Sequence, residues 1–143
     1  KSRLLTVITL LIRESKLKPV DANENISKRK KIDGLQEIIE YIHENYSANI
    51  SLKTVAKAFF MNPAYFSVYF KKNIGVNFSD YLTQERINQA KRLIDEGHMN
   101  STEIALRCGF NNIASFYNAF KRNVGMNPGE YKNRFERAYT ELC

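Results

Sequence analysis

Hydrophobic side chains recur along this chain at intervals of three and four residues, and strand-like alternation is absent. Over residues 35–46, Leu35, Ile38, Ile39, Ile42 and Tyr46 fall on one helical face while Glu37, Glu40 and Glu44 lie elsewhere. Helix start signals then recur at short spacing. Ser51 precedes LKTVAKAF, and Asn62 with Pro63 precedes AYFSVYFKK as N-cap and first helical residue; Gly75 supplies a left-handed stop. A long helix is expected over residues 79–96, with Tyr81, Leu82, Ile87, Ala90 and Ile94 toward a core and Gly97 at its end. Ser101 opens TEIALRC, Gly109 breaks it, Asn111 or Asn112 caps IASFYNAFKRN, and Gly125 ends it. Asn77 with Asp80, and Asn127-Pro128 with Glu130, have the spacing of capping boxes. The expected fold class is all-α, with about seven helices.

The same pattern occurs twice. Residues 70–81, FKKNIGVNFSDY, and 120–131, FKRNVGMNPGEY, are identical at six of twelve positions, and four more are conservative. Phe66, Phe70, Gly75 and Tyr81 map onto Phe116, Phe120, Gly125 and Tyr131 at an offset of 50, whereas Ala56 maps onto Ala105 at 49. The one-residue difference must lie in the turn between the two short helices of each unit, because loops tolerate it and helix faces do not. Each unit is helix, tight turn, helix, the layout of a helix-turn-helix. The two span about 51–74 and 101–124, and the long helix links them.

The second helix of such a unit packs one stripe on the first and leaves the other in solvent. Phe66, Tyr69 and Phe70, then Phe116, Ala119 and Phe120, form the packed stripes, with Ala56 and Ala105 at the close crossing. The outward stripes hold Ala64, Ser67, Val68 and Lys71, then Ala114, Ser115, Asn118 and Lys121, with Ile113 at the entry. These residues are small and uncharged, with a base toward the C-terminal end. A solvated face would more often mix Glu with Lys. A face in a DNA major groove avoids acids, reads base edges with Ser and Asn, and meets the thymine methyl with Ala or Val. The same face would also serve a protein-binding module.

Composition changes this picture little. The 143 residues are 43% hydrophobic and 26% charged, enough for a core. The net charge of +7 is uneven: residues 1–33 hold nine basic and four acidic residues (+5), and residues 34–143 hold thirteen and eleven (+2). Residues 13–33, polar and aperiodic with Pro19, read as a linker after an N-terminal helix remnant at 1–12. The segment 4–12 is too short to span a bilayer. The chain begins at Lys1, as expected of a fragment of something longer. Cys108 and Cys143 form no ligand cluster; Cys108 reads as a small buried hydrophobe, and reduced intracellular thiols fit. His43 and His98 are isolated, so neither a metal, a cofactor nor an active site is expected.

The run ISLKTVAKAFFMNPAYFSVYFKKNIGVNFSDYLTQERINQAKRLI, followed by STEIALRCGFNNIASFYNAFKRNVGMNPGEYK, closely resembles the AraC/XylS family of bacterial transcription regulators over residues 35–135. Its most specific parts are FKKNIGVNFSDYL, ERINQAKRLI, EIALRCGF and FKRNVGMNPGEY, in order and in register. The resemblance implies a double-stranded DNA-binding domain over 34–138, with one recognition helix per lobe in successive major-groove segments. It puts Ala64, Ser67, Val68, Lys71, Ile113, Ala114, Ser115 and Asn118 toward bases. Phosphates would meet Lys72, Lys121, Arg122 and the helix N-termini at Ser51, Ser101 and Asn127. It further implies an activator more often than a repressor, RNA polymerase as a partner, and a cytoplasmic bacterial location. A separate N-terminal regulatory or receiver domain would precede the chain. Arg86 is expected to bridge the linker helix to a lobe. An enzyme fused to such a domain would need a reactive Cys in a catalytic context, which neither cysteine has.

Overall fold

The computed structural model describes residues 22–142, apart from the side chains of 22–28, 30 and 31. The expected helix remnant at 1–12 and linker residues 13–21 lie outside the described residues. Seven helices and no strand occur among the described ones: α1 (Ala22–Asn45), α2 (Leu52–Ala58), α3 (Pro63–Ile74), α4 (Phe78–Glu96), α5 (Ser101–Arg107), α6 (Ile113–Val124) and α7 (Pro128–Leu142). Residues 1–36 form one unit, of which the structure describes the N-terminal part of α1; residues 37–143 form the other and carry both helix-turn-helix lobes.

One expectation is corrected here. Residues 22–33 are helical rather than linker. Their polarity hides no breaker: ANENISKRKKID has neither Pro nor Gly, and Lys, Arg and Glu are good helix formers. Once Ile38 and Ile42 fix the later turns, each added residue elongates a nucleated helix.

Each lobe has its own core. Ile38, Ile42, Val55, Ala56, Phe66, Phe70, Phe78 and Leu82 form the first, and Ile87, Ala90, Ile94, Ile104, Ala105, Cys108, Phe110, Phe116, Ala119 and Phe120 the second. Helix α4 serves both, changing core between Leu82 and Ile87. The repeat extends to ring geometry: Phe70 meets Tyr81 edge-on at 5.4 Å between centroids, and Phe120 meets Tyr131 at 5.6 Å. Burial raises the Tyr131 phenol from its usual value, and the nearby Asp95 of α4 raises it further.

The two turns close alike. Met61 N–H donates to Ala56 O at 2.8 Å and Phe110 N–H to Ala105 O at 3.0 Å, both at the 49-residue offset. The α2–α3 connection is residues 59–62 and the α5–α6 connection 108–112, so the extra residue lies in the turn, after Phe110. Just before those donors, both chains enter the left-handed region, at Phe60 (φ 55°) and at Gly109 (φ 93°). Between α1 and α4, Glu85 Oε1 accepts from His43 Nδ1 at 2.7 Å and from Gln89 Nε2 at 3.1 Å. Arg86 does bridge α4 to a lobe: Nε donates to Tyr46 O at 2.8 Å and Nη2 to Ala48 O at 3.0 Å.

Candidate nucleic-acid interface

Helices α3 and α6 are built from the same local instructions. Asn62 Oδ1 accepts from Ala64 N at 2.9 Å, and Pro63 takes the first helical position, where its missing N–H costs nothing. Asn112, rather than Asn111, caps α6, accepting from Ser115 N at 2.8 Å. Both helices end at glycines in the left-handed region, Gly75 and Gly125, whose N–H groups donate to Lys71 O and Lys121 O. Phe66 and Phe70 turn α3 inward, and Phe116, Ala119 and Phe120 do so for α6. Neither helix carries an acid, and each ends on a basic pair, Lys71–Lys72 or Lys121–Arg122. Those cations oppose the negative end of the helix dipole and remain exposed.

On the outward faces, Ala64, Val68, Lys71, Ile113, Ala114, Ser115 and Asn118 are exposed, and Ser67 is half-buried at the flank of α3. Two aromatic residues share these faces and were missed: Tyr65, 59% exposed and stacked on Tyr69, and Tyr117, 36% exposed. The repeat itself carries the signal that finds them. At the 50-residue offset Tyr65 is the counterpart of Ser115 and Tyr117 that of Ser67, so naming one member of each pair should name the other.

The helix N-termini differ in their electrostatics. Ser51 Oγ accepts from Thr54 N at 3.2 Å, and Thr54 Oγ1 accepts from Ser51 N at 2.8 Å, a reciprocal box without an acid. At α5 the cap is Asn100, not Ser101, which is the first helical residue. The choice follows from the third position onward: Asn100 reaches Glu103, which returns a bond to Asn100 N at 3.0 Å. Ser101 as cap would reach Ile104, a core residue with no such group. Asn127 and Glu130 form the same reciprocal pair before α7, at 3.2 and 2.8 Å. The Glu103 and Glu130 carboxylates therefore already serve the positive ends of α5 and α7, whereas α2 has no acid in its first turn.

Beside the interface, Arg122 lines a 440 Å³ cleft with Val76, Asp80, Tyr81, Thr83, Gln84 and Asn123. Burial pushes the Cys108 thiol up to about 11, against the opposing pull of Arg86 and Arg107, so it is a poor nucleophile at neutral pH. Burial also lowers the Arg86 guanidinium from its usual value. Among the described residues, no three His, Cys, Asp or Glu side chains gather as a metal would require, and no helix is long and apolar enough to cross a membrane.

The helix-turn-helix domain family matches residues 55–134 of this chain. The HTH-type transcriptional regulator YijO of Escherichia coli is 32% identical over 106 residues, covering 74% of this chain and 38% of that protein. YobQ of Bacillus subtilis is 34% identical over 95 residues, 66% of this chain and 39% of that protein. The chain thus spans about two fifths of the length of these curated relatives. Among solved structures, the C-terminal domain of the response regulator yesN from Fusobacterium nucleatum is 32% identical with a TM-score of 0.66, covering 68% of this chain and 95% of that one. The DNA-binding domain of AdpA, solved with a target DNA, is 25% identical with a TM-score of 0.70, covering 73% of this chain and 94% of that one. With the family matched over more than half its length, and its duplicated lobes built as described, this chain belongs to the AraC-type helix-turn-helix family of DNA-binding transcription regulators, a family that is not enzymatic.

Proposed function

We propose that this domain binds double-stranded DNA sequence-specifically, with α3 and α6 as recognition helices in successive major-groove segments on one face of the duplex. The observation that carries this is the pair of acid-free helices, equivalent under the repeat and attached to the two halves of α4. At 1.5 Å per residue the 19 residues of α4 span about 28 Å. The lobes extend beyond its ends, which brings the recognition helices toward the ~34 Å recurrence of the groove.

Base contacts fall to Ala64, Ser67, Val68 and Lys71 in lobe one and to Ile113, Ala114, Ser115 and Asn118 in lobe two, with Tyr65 and Tyr117 beside them. Lys72, Lys121 and Arg122 take phosphates, together with backbone amides at the helix starts near Ser51, Ser101 and Asn127. The α2 start is the least opposed, since no carboxylate stands in its first turn. Lobe one, poor in long polar readers, relies on methyl contacts and DNA shape. In the full-length protein the domain acts as an activator in the bacterial cytoplasm, touching RNA polymerase and answering to a separate regulatory or receiver domain. The greater length of its relatives supports that arrangement.

Selection on randomised DNA tests the assignment. Asn118 is the one amide on either outward stripe, and an amide can hold adenine through two bonds. Asn118→Ala should cost about 1–3 kcal/mol on the best site and relax preference at one or two positions. An unchanged preference profile would remove α6 from base reading. Equal competition by bulk genomic DNA and by the selected site would refute sequence-specific binding, and failure to retain any duplex would favour a protein-binding module instead.

A further inference from the structure

Arg86 stands where α4 passes from one core to the other, after Leu82 of lobe one and before Ile87 of lobe two. Its fork grips the turn that follows α1, on the lobe-one side, through the carbonyls of Tyr46 and Ala48. The same guanidinium lies 5.9 Å from the ring centroid of Phe110, in the turn of lobe two. The residue before it, Gly109, completes the joint. A Cβ there would stand 2.8 Å from Tyr46 O, 3.0 Å from Ser47 O and 3.1 Å from Arg86 Nε. The backbone of the second turn therefore lies close against the Tyr46 carbonyl that Arg86 holds and against its neighbour, the Ser47 carbonyl.

An open cleft lies between Val76, Asp80 and Tyr81 on one side and Arg122 and Asn123 on the other. The two cores fix the inside of each lobe and say nothing about the angle between lobes. The continuity of α4 and this joint both act on that angle. A guanidinium suits the task because its donors form a rigid planar fork, whereas a lysine ammonium is a point charge that could satisfy one carbonyl without fixing direction.

We propose that Arg86 is a positioning residue that sets the separation and rotation of α3 relative to α6, and through them the spacing between the two half-sites that the domain accepts. This rests on the two-groove reading given above. One base pair inserted between half-sites shifts the second by about 3.4 Å and turns it by roughly a tenth of a helical turn. A rigid joint cannot follow that shift, and a loosened one can.

The test uses the selected duplex, a set of duplexes with one or two base pairs inserted or removed between the half-sites, and a duplex carrying one half-site. Wild-type chain should lose about tenfold or more in affinity for a one-base-pair change, as expected when one lobe forfeits its base contacts. Arg86→Lys and Arg86→Met should cut that penalty to about threefold or less, while single half-site affinity stays within about threefold of wild type. Circular dichroism confirms that each variant is folded, and the lysine form retains the charge if the methionine form unfolds. A wild-type chain indifferent to spacing would overturn the two-groove reading and this proposal with it. A spacing-dependent wild type whose folded variants keep the full penalty would overturn the role of Arg86 alone. Loss of half-site binding in step with spacing would also overturn it, since Arg86 would then only support the fold.

Discussion

Phe60 and Gly109 occupy the same place in the two turns and should respond to substitution with opposite signs. Phe60 has φ 55° and is 99% exposed, so its ring gains no burial for the conformation it occupies. A left-handed conformation costs a side-chain-bearing residue about 1–2 kcal/mol. Phe60→Gly removes that strain and adds about 0.4–1 kcal/mol of unfolded-state freedom that must be lost again on folding. The balance is a gain of roughly 0.5–1 kcal/mol, or about 2–5 °C in Tm for a domain of this size. Gly109→Ala runs the other way. It incurs the same strain and forces a Cβ to within 2.8 and 3.0 Å of two backbone carbonyls, closer than side chains tolerate. Displacing the turn after α1 should bring the total loss to about 2–4 kcal/mol. Urea unfolding followed at 222 nm, with the slope checked for constancy, gives both numbers. A destabilised Phe60→Gly chain would refute the strain assignment, and so would a neutral Gly109→Ala.

Three further outcomes are expected. Asn127→Ala removes the side-chain acceptor for Glu130 N; it should cost about 1 kcal/mol of stability and weaken DNA binding evenly across sequences, with urea midpoint and competition assays as readouts. If four to seven phosphates are neutralised, log K should fall against log salt with a slope of about −4 to −6; a flat line at intact affinity would speak against nucleic acid. With Cys143→Ser as background, Cys108 should label at pH 8 only through unfolding, because its side chain is fully buried; alkylation that is rapid and independent of denaturant would show it accessible in the native state.

The order of helices was legible from the sequence because each start and stop is a local transaction. Asn62-Pro63 and Asn127-Pro128 announce helix starts, and the glycines at 75, 97 and 125 announce ends through left-handed backbone. The core stripes were legible for the same reason: Phe66 and Phe70 sit four residues apart, and the 50-residue repeat says twice that this face is buried. The offset of 49 against 50 even located the extra residue in a turn.

Other features needed the third dimension. Polarity concealed the helix over residues 22–33, because helix propensity without an apolar stripe resembles a linker. The choice of Asn100 over its neighbour Ser101, by contrast, was local and could have been read, because Asn100 and Glu103 have capping-box spacing. Phe60 carries no local mark of a left-handed conformation; its repeat counterpart Gly109 is the one hint, and the closure of Met61 N–H onto Ala56 O accompanies it. The sequence by itself determined two similar lobes and the faces they turn outward, since helix caps and periodicity act within a few residues. Where Arg86 lies against Tyr46, Ala48 and Phe110, and hence how one lobe stands to the other, was decided by tertiary structure alone. Those partners are separated from Arg86 by 40, 38 and 24 positions, and no local pattern joins residues that far apart.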